Sequence, residues 1–156
     1  MKKENMNNKG FSLVELIIVI AIMAILIVVL APQYLKYVER SRNSTDLQNA
    51  RTMMTAIETY AADPQVTGTD AFVKDDTFTM QVRNDKTTVT GGASAKAKKA
   101  LNDAALLKND ADIKCSSRTK WKQYDVKGTI QEDGSVKWEY DSDPANNFAN
   151  AMKGNS

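Results

Sequence analysis

The apolar stretch from Leu16 to Ala31 constrains the fold of this 156-residue chain more than any other feature. It contains no polar side chain, and together with Phe11 to Val14 it approaches the ~20 residues that a helix needs to cross a bilayer. One carboxylate, Glu15, lies near its start. A carboxylate at the centre of a membrane span costs about 2.5–3.5 kcal/mol, and less near the edge. We therefore expect Glu15 to have a partner and a functional role.

The charges around this stretch predict its topology. Lys2, Lys3 and Lys9 precede it, and basic residues of this kind stay on the cytoplasmic side, so the C-terminal part faces outward. Beyond residue 10 the chain carries 18 basic and 18 acidic residues, so the formal net charge of +2 belongs to the first ten residues. Net charge therefore gives no support for a nucleic-acid partner. The length leaves room for one modest globular domain.

Two ordinary membrane-targeting segments are alternatives for this stretch. A secretory signal peptide fits the basic start, and Val29-Leu30-Ala31 loosely resembles a small-residue cleavage site. However, the apolar run slightly exceeds a usual signal-peptide core, and Pro32 directly follows that site, where proline is disfavoured. A plain single-pass anchor explains the apolar run but explains neither Glu15 nor the Gly10–Phe11 junction.

The residues around the start of the apolar run form a motif that resembles one in a known protein family. A short basic leader ending in Gly, then Phe-Ser-Leu-Val-Glu, then an unbroken apolar helix, resembles the N-terminus of the type IV pilins. The shared residues are Lys9, Gly10, Phe11, Leu13, Glu15 and Pro32. The resemblance covers about residues 1–60, and the remainder matches only a broad pattern of a helix followed by strands. It implies an α+β fold in which a long N-terminal α-helix, half exposed or transmembrane and half packed, lies against an antiparallel β-sheet.

The resemblance also implies a division of the chain and a set of site residues. Residues 1–10 would be a leader, residues 11–34 the hydrophobic half of the helix, and residues 35–156 an amphipathic helix with a globular head. A prepilin peptidase would cleave between Gly10 and Phe11 and N-methylate Phe11. Glycine suits that position because it has no side chain to obstruct the peptidase. Glu15 would pair with the N-terminal amine of a neighbouring subunit, and Pro32 would kink the helix.

The function that the resemblance implies is that of a structural subunit, the major pilin of a type IV pilus. Its partners would be other copies of itself, the prepilin peptidase, an assembly ATPase and a platform protein. The subunit would lie in the cytoplasmic membrane before assembly and in a surface filament for motility, adhesion and biofilm growth afterwards. The alternatives are a minor pilin, a pseudopilin of a type II secretion or DNA-uptake system, and a membrane-tethered enzyme or receptor. The lack of a disulfide and the Lys/Asn-rich usage hint at a Gram-positive bacterium.

The sequence offers no enzyme site, cofactor site or metal site. There is no histidine, which removes the commonest general base and metal ligand. The single cysteine, Cys115, excludes an intramolecular disulfide, and we expect it to be a small core residue in a strand around residues 112–116. The oxygen-rich tail around Asp141 and Asp143 could hold calcium, as related pseudopilins do, but a solvated turn is the simpler interpretation.

The rest of the chain shows helical and strand periodicity. After Pro32 an apolar helical stripe predicts packing on a sheet, with Pro64 ending the helix. The stripe comprises Leu47, Ala50, Met54, Ile57 and Ala61, widened by Met53, Ala56 and Tyr60. Strands are predicted over residues 78–82, 124–131 and 135–140, with a hairpin at Asp133-Gly134, and helices over 93–107 and 148–152. Core positions are predicted for Trp121 and for the strand face of Val136, Trp138 and Tyr140, and solvated lysines for Lys96, Lys98 and Lys99.

Overall fold

The computed structural model describes residues 10–107 and 113–154, and it has the predicted α+β architecture. The lysines and other residues before Gly10, which the sequence analysis predicts to be a leader, lie outside the described residues. The chain forms two compact units, one up to Val38 and one from Glu39 onward. In chain order the elements are α1 (Leu13–Ala61), a 3-10 turn (Gly68–Asp70), β1 (Thr77–Val82), β2 (Thr87–Thr90), α2 (Ser94–Asp103), β3 (Gln123–Ile130), β4 (Val136–Asp143) and α3 (Asn147–Met152).

The first unit is the amino-terminal part of α1. Its apolar side chains are exposed throughout, from Phe11 to Leu30. Pro32 lies inside α1, and the helix continues through it. Proline removes one backbone hydrogen bond from a helix interior, which favours a kink. The kink at Pro32 stays a prediction.

The second unit is built on a four-stranded antiparallel sheet with the strand order β2-β1-β3-β4. The hairpin predicted at Asp133-Gly134 is confirmed, since β3 and β4 pair in register from Ile130 opposite Val136. Gly134 has a φ of 81°, a conformation that glycine adopts without strain. The hairpin therefore places alternate residues of both strands on one inner face.

Two boundaries and one strand differ clearly from the sequence prediction. β4 continues to Asp143, because residues 141–143 pair with residues 123–125 of β3, so the expected acidic turn is partly strand. β2 was not predicted, since its four residues are mostly threonines with little apolar alternation. α2 is shorter than predicted and ends at Asp103, because Ala105 has a φ of 56° and the Leu106 N–H returns to the Leu101 carbonyl.

The part of α1 in the second unit packs on the inner face of the sheet. Its buried positions are Asp46, Ala50, Met53, Ile57 and Tyr60. The buried face of α1 is therefore rotated slightly from the predicted stripe. Met53 is fully buried, whereas Met54 and Leu47 are only partly buried. The shift brings an acidic residue, Asp46, onto the buried face, which apolar periodicity alone cannot predict.

The aromatic residues confirm the core prediction for Trp121, whereas the predicted core face of Val136, Trp138 and Tyr140 is only partly buried, because β4 is the edge strand of the sheet. Trp121 and Tyr124 are fully buried, and both contact Phe148 of α3. Tyr124 stacks on Phe148 with ring centroids 4.1 Å apart, and Trp121 meets the same ring edge-on at 5.2 Å. Trp138 faces α1 from β4 and donates its indole N–H to Glu58 at 2.7 Å. The short helix α3 thus completes the core formed by α1 and the β3–β4 hairpin.

Replacing Gly128 with Ala should destabilise the second unit. A Cβ at Gly128 would lie 2.3 Å from the Phe78 ring, and Phe78 is itself buried on the facing strand. Overpacking of this kind costs about 1–3 kcal/mol. Urea unfolding of the full chain in detergent, followed by near-ultraviolet circular dichroism, measures the change. Gly92→Ala is the control, since a Cβ there meets no heavy atom within 4 Å; equal midpoints for the two variants would contradict the packing argument.

Candidate functional site

Three of the predicted site residues lie at the start of α1: Gly10 and Phe11 directly precede the helix, and Glu15 is in its first turn. The Ser12 N–H donates to the Glu15 carboxylate at 2.9 Å, and the Ser12 hydroxyl accepts the Val14 N–H at 3.3 Å. Ser12 is therefore the N-cap of α1, and Glu15 reaches back to it as in a capping box. Glu15 also places a negative charge at the positive end of the helix dipole. The sequence prediction missed Ser12, although the Ser-x-x-Glu pattern is visible in the chain.

The backbone at Gly10 and Phe11 is accessible. Phe11 is 89% exposed, and a Cβ at Gly10 would meet no heavy atom of the described residues within 4 Å. The chain itself therefore does not require glycine at position 10. An effect of a larger side chain there would report contact with another protein.

The apolar segment that follows has no core of its own. The large apolar residues between Phe11 and Leu30 are 43% to 89% exposed. By length and composition α1 could cross a membrane, and none of the residues in its most apolar stretch is buried. Exposed apolar surface of this extent marks a membrane or protein contact.

A second set of polar residues lies on α1 in the second unit, and sequence reasoning missed it. Asp46 is fully buried, and its carboxylate accepts the Ser116 N–H at 2.7 Å, the Ser117 N–H at 2.9 Å and the Trp121 indole N–H at 2.8 Å. Glu39, two turns earlier, accepts from Ser117 and from the next two backbone N–H groups. We call these bonds to residues 116–121 the helix–loop contact.

The helix–loop contact explains why residues 113–117 are not a strand. The N–H groups of Ser116 and Ser117 bind a carboxylate of α1 instead of a neighbouring strand. The predicted strand around Cys115 is therefore wrong, while the predicted burial of Cys115 is confirmed at 3% exposure. Asp112, at the predicted start of that strand, lies outside the described residues. Burial, with the nearby Asp46 carboxylate, raises the pKa of the Cys115 thiol to about 12 and disfavours a reactive thiolate.

The electrostatics of the helix–loop contact favour an ionised Glu39. Burial raises the pKa of the Glu39 carboxyl, but the N–H groups of Arg118 and Thr119 and the Ser117 hydroxyl outweigh it and lower the pKa from 4.5 to about 2. Donors that bind the charged form of a carboxylate stabilise that form. Arg42 adds a longer ion pair, with 3.6 Å between the guanidinium and the carboxylate. The negative charge of Glu39 is thus neutralised locally.

Glu39 should make folding stability depend on pH in acid. Its folded-state pKa of about 2 lies below 4.5, so its contribution is present above pH 4.5 and disappears as the pH falls towards 2. After solvent screening we expect about 1–2 kcal/mol. Unfolding midpoints of the natural chain and of Glu39→Gln, compared across that range, isolate this contribution because glutamine does not titrate. A difference that stays constant with pH would contradict it.

The lysines of α2 and the acidic tail are the remaining surface features that the sequence singled out. Lys96 and Lys99 of α2 form ion pairs with Asp76 and Asp70 at 2.7 Å and 2.5 Å. Lys99 is exposed as predicted, whereas Lys96 and Lys98 are half-buried, so the prediction of solvated lysines is wrong for these two. Near Asp141 and Asp143, as elsewhere in residues 10–107 and 113–154, no three His, Cys, Asp or Glu side chains are grouped to hold a metal ion. The helix start and the helix–loop contact are therefore the two polar sites of interest.

Comparisons with known proteins agree with the first of these sites. Residues 5–31 match the family model of the prokaryotic N-terminal methylation motif. The type IV major fimbrial protein FimA of Dichelobacter nodosus is 45% identical over 65 residues, 42% of this chain and 41% of that protein. The type IV major pilin protein PilA of Myxococcus xanthus (strain DK1622) is 38% identical over 56 residues, 36% of this chain and 26% of that protein. No solved structure matches the chain.

These matches confirm the resemblance to type IV pilins for the amino-terminal part of the chain. The matched motif includes the junction Gly10–Phe11 and Glu15, and it ends at Ala31 with the apolar run. The chain spans about two fifths of the FimA proteins' length at most, and less of PilA. The second unit therefore has to be understood from its own structure.

Proposed function

We propose that this chain is a structural subunit of a type IV pilus, and specifically its major pilin. The observation that carries the proposal is the exposed apolar segment of α1, which lies within the matched N-terminal methylation motif of residues 5–31. An apolar helix without its own core needs either lipid or other apolar helices around it. A polymer whose subunits exchange lipid contacts for contacts with one another satisfies this need.

Processing would start the assembly. A prepilin peptidase cleaves Gly10–Phe11 and N-methylates Phe11, which leaves a cationic amine at the start of α1. The Glu15 carboxylate, one helical turn away, then pairs with the amine of a neighbouring copy. Two opposite charges attract strongly in a dry filament core, and removal of one leaves the other buried without compensation. Pro32 provides a kink where the helix leaves the apolar environment.

The location and partners follow from the same segment. Before assembly the subunit spans the cytoplasmic membrane once, with the leader on the cytoplasmic side and the second unit outside. An assembly ATPase and a platform protein drive its incorporation into a surface filament that serves motility, adhesion and biofilm growth. The chain is not an enzyme in this proposal, since the chemistry assigned to its residues is cleavage and assembly of the chain itself.

Sheared surface filaments test this proposal. We expect their main protein to have the intact mass of residues 11–156 plus one methyl group. Gly10→Val should reduce cleavage by at least about tenfold, because a branched side chain obstructs close approach of the peptidase. The fold should be unchanged, because a Cβ at position 10 meets no heavy atom of the described residues within 4 Å. The control is Gly92→Ala, an equally open position far from the junction in sequence. Cleavage after Ala31, or filaments of uncleaved chain, would refute the proposal.

A further inference from the structure

The second unit has an uneven distribution of charge. It carries 17 basic and 17 acidic residues, and is therefore neutral as a whole. Residues 39–46 and 113–124 together contribute six basic residues but only two acidic ones, Glu39 and Asp46. Both of these carboxylates are bound by N–H donors of the helix–loop contact. The remainder of the unit has 11 basic and 15 acidic residues, so one region is basic and the rest is acidic.

The basic region has a defined surface. We call it the basic patch, and it comprises the exposed residues Arg40, Arg42, Arg118, Lys120 and Lys122. The helix–loop contact joins its two segments, since Glu39 binds the backbone of Arg118 at 2.6 Å and the side chain of Arg42 at 3.6 Å. In the part of the chain that the structure describes, Arg42 is the one member with an ion pair.

Basic residues elsewhere on the unit are mostly neutralised. Ion pairs join Lys74 to Glu132, Arg83 to Asp125, Lys96 to Asp76, Lys99 to Asp70, and both Lys127 and Lys137 to Glu139. Exposed cations concentrated without carboxylate partners attract an anionic surface. The patch therefore differs from the rest of the unit in the partner that it favours.

We propose that the basic patch holds the second unit against the anionic headgroups of the membrane that anchors the chain. The inference rests on the proposed membrane anchoring of α1. Arg40 follows the end of the apolar run by nine residues in one continuous helix, so lipid headgroups are the anion nearest to the patch in the chain's own sequence. Because the anchor and the patch belong to the same chain, their contacts with one membrane are intramolecular, so weak attraction suffices. Each Lys or Arg near an anionic leaflet adds to this attraction within a Debye length.

The test uses the full chain in nanodiscs of phosphatidylcholine, with or without phosphatidylglycerol. A dye on Ser44→Cys, in a Cys115→Ser background, reports proximity to a quencher carried on lipid headgroups. Ser44 is exposed and lies one turn from Arg40 on the same helix face. We expect about threefold or more quenching with phosphatidylglycerol, lost in about 1 M salt, where the Debye length is about 3 Å.

Matched variants assign the effect to the patch. Arg118→Gln/Lys120→Gln/Lys122→Gln should lose the phosphatidylglycerol-dependent quenching, whereas Lys86→Gln/Lys127→Gln/Lys137→Gln, which removes the same charge elsewhere, should keep it. If quenching is equal in both lipids while the chain still floats with the nanodiscs, the proposed role of the basic patch is overturned. The proposed membrane anchor is then unaffected. A chain that does not float overturns the anchor and the inference together. A salt-sensitive response to a short DNA duplex without one to phosphatidylglycerol reassigns the patch to nucleic acid and also overturns the inference.

Discussion

Replacing Asp46 with Asn should lower the free energy of unfolding by about 2–4 kcal/mol. The Asp46 carboxylate accepts three N–H donors from Ser116, Ser117 and Trp121, and the side chain is fully buried. An amide retains one acceptor oxygen and turns a donor towards another donor, so at least one buried N–H loses its partner. Hydrogen bonds to charged groups contribute about 1.5–3 kcal/mol each, and a stranded donor costs about 1–3 kcal/mol.

The measurement is chemical unfolding of the full chain in detergent. Trp121 donates its indole N–H directly to Asp46 at 2.8 Å, so near-ultraviolet circular dichroism of the aromatic residues reports the site. Asp103→Asn is the matched control, because it is the same substitution at an exposed residue at the end of α2. If Asp46→Asn and Asp103→Asn had the same midpoint, the helix–loop contact would not stabilise the fold.

The helix–loop contact also shows where sequence reasoning stopped. Asp46 continues the spacing of Ala50, Met53 and Ile57, and thus lies on the same face of α1. An acidic residue in that position marks the end of an apolar stripe when only periodicity is considered. Its donors lie 70 to 75 residues later in the chain, in a loop without regular structure. Periodicity describes which face is buried, and it does not show which distant backbone N–H groups need an acceptor there.

The sheet also has one part that the sequence predicts and another that it does not. The β3–β4 hairpin could be predicted, because Asp133-Gly134 separates two runs of alternating residues and the signal is local. The place of β1 beside β3, and of β2 beside β1, depends on pairing between distant segments. The residues of β2, Thr87–Thr90, have too little apolar alternation to predict a strand. Pairing with β1 and burial of Val89 form that strand, and these are tertiary effects.

The amino-terminal site could be predicted because its chemistry is contained in consecutive residues. The junction Gly10–Phe11, the carboxylate of Glu15 and the apolar run all lie within one motif, so no long-range contact is needed to bring them together. The structure adds that Glu15 already has a partner in its own chain, the Ser12 N–H at 2.9 Å. Glu15 therefore has two candidate roles, helix capping and charge pairing, and they can be separated.

Replacing Glu15 should reduce filament assembly without reducing cleavage. We expect Glu15→Ala to lower the amount of sheared filament protein by about tenfold or more, since breaking a buried ion pair costs about 3–5 kcal/mol for each subunit. The leader should still be removed at Gly10–Phe11, because the exposed junction does not depend on the Glu15 side chain. Intact mass of the membrane fraction reports cleavage, and filament yield reports assembly.

Glu15→Gln distinguishes the two roles of this residue. Glutamine can still accept the Ser12 N–H, as Glu or Gln does in a capping box, but it carries no charge. If Glu15 acts by charge pairing, Glu15→Gln assembles as poorly as Glu15→Ala, while Ser12→Ala, which removes only the weaker 3.3 Å cap to Val14, assembles nearly normally. Normal filaments from Glu15→Gln together with poor ones from Ser12→Ala would show that Glu15 acts by starting the helix. The charge-pairing account would then be wrong, and the proposal of a filament subunit would stand on the apolar segment alone.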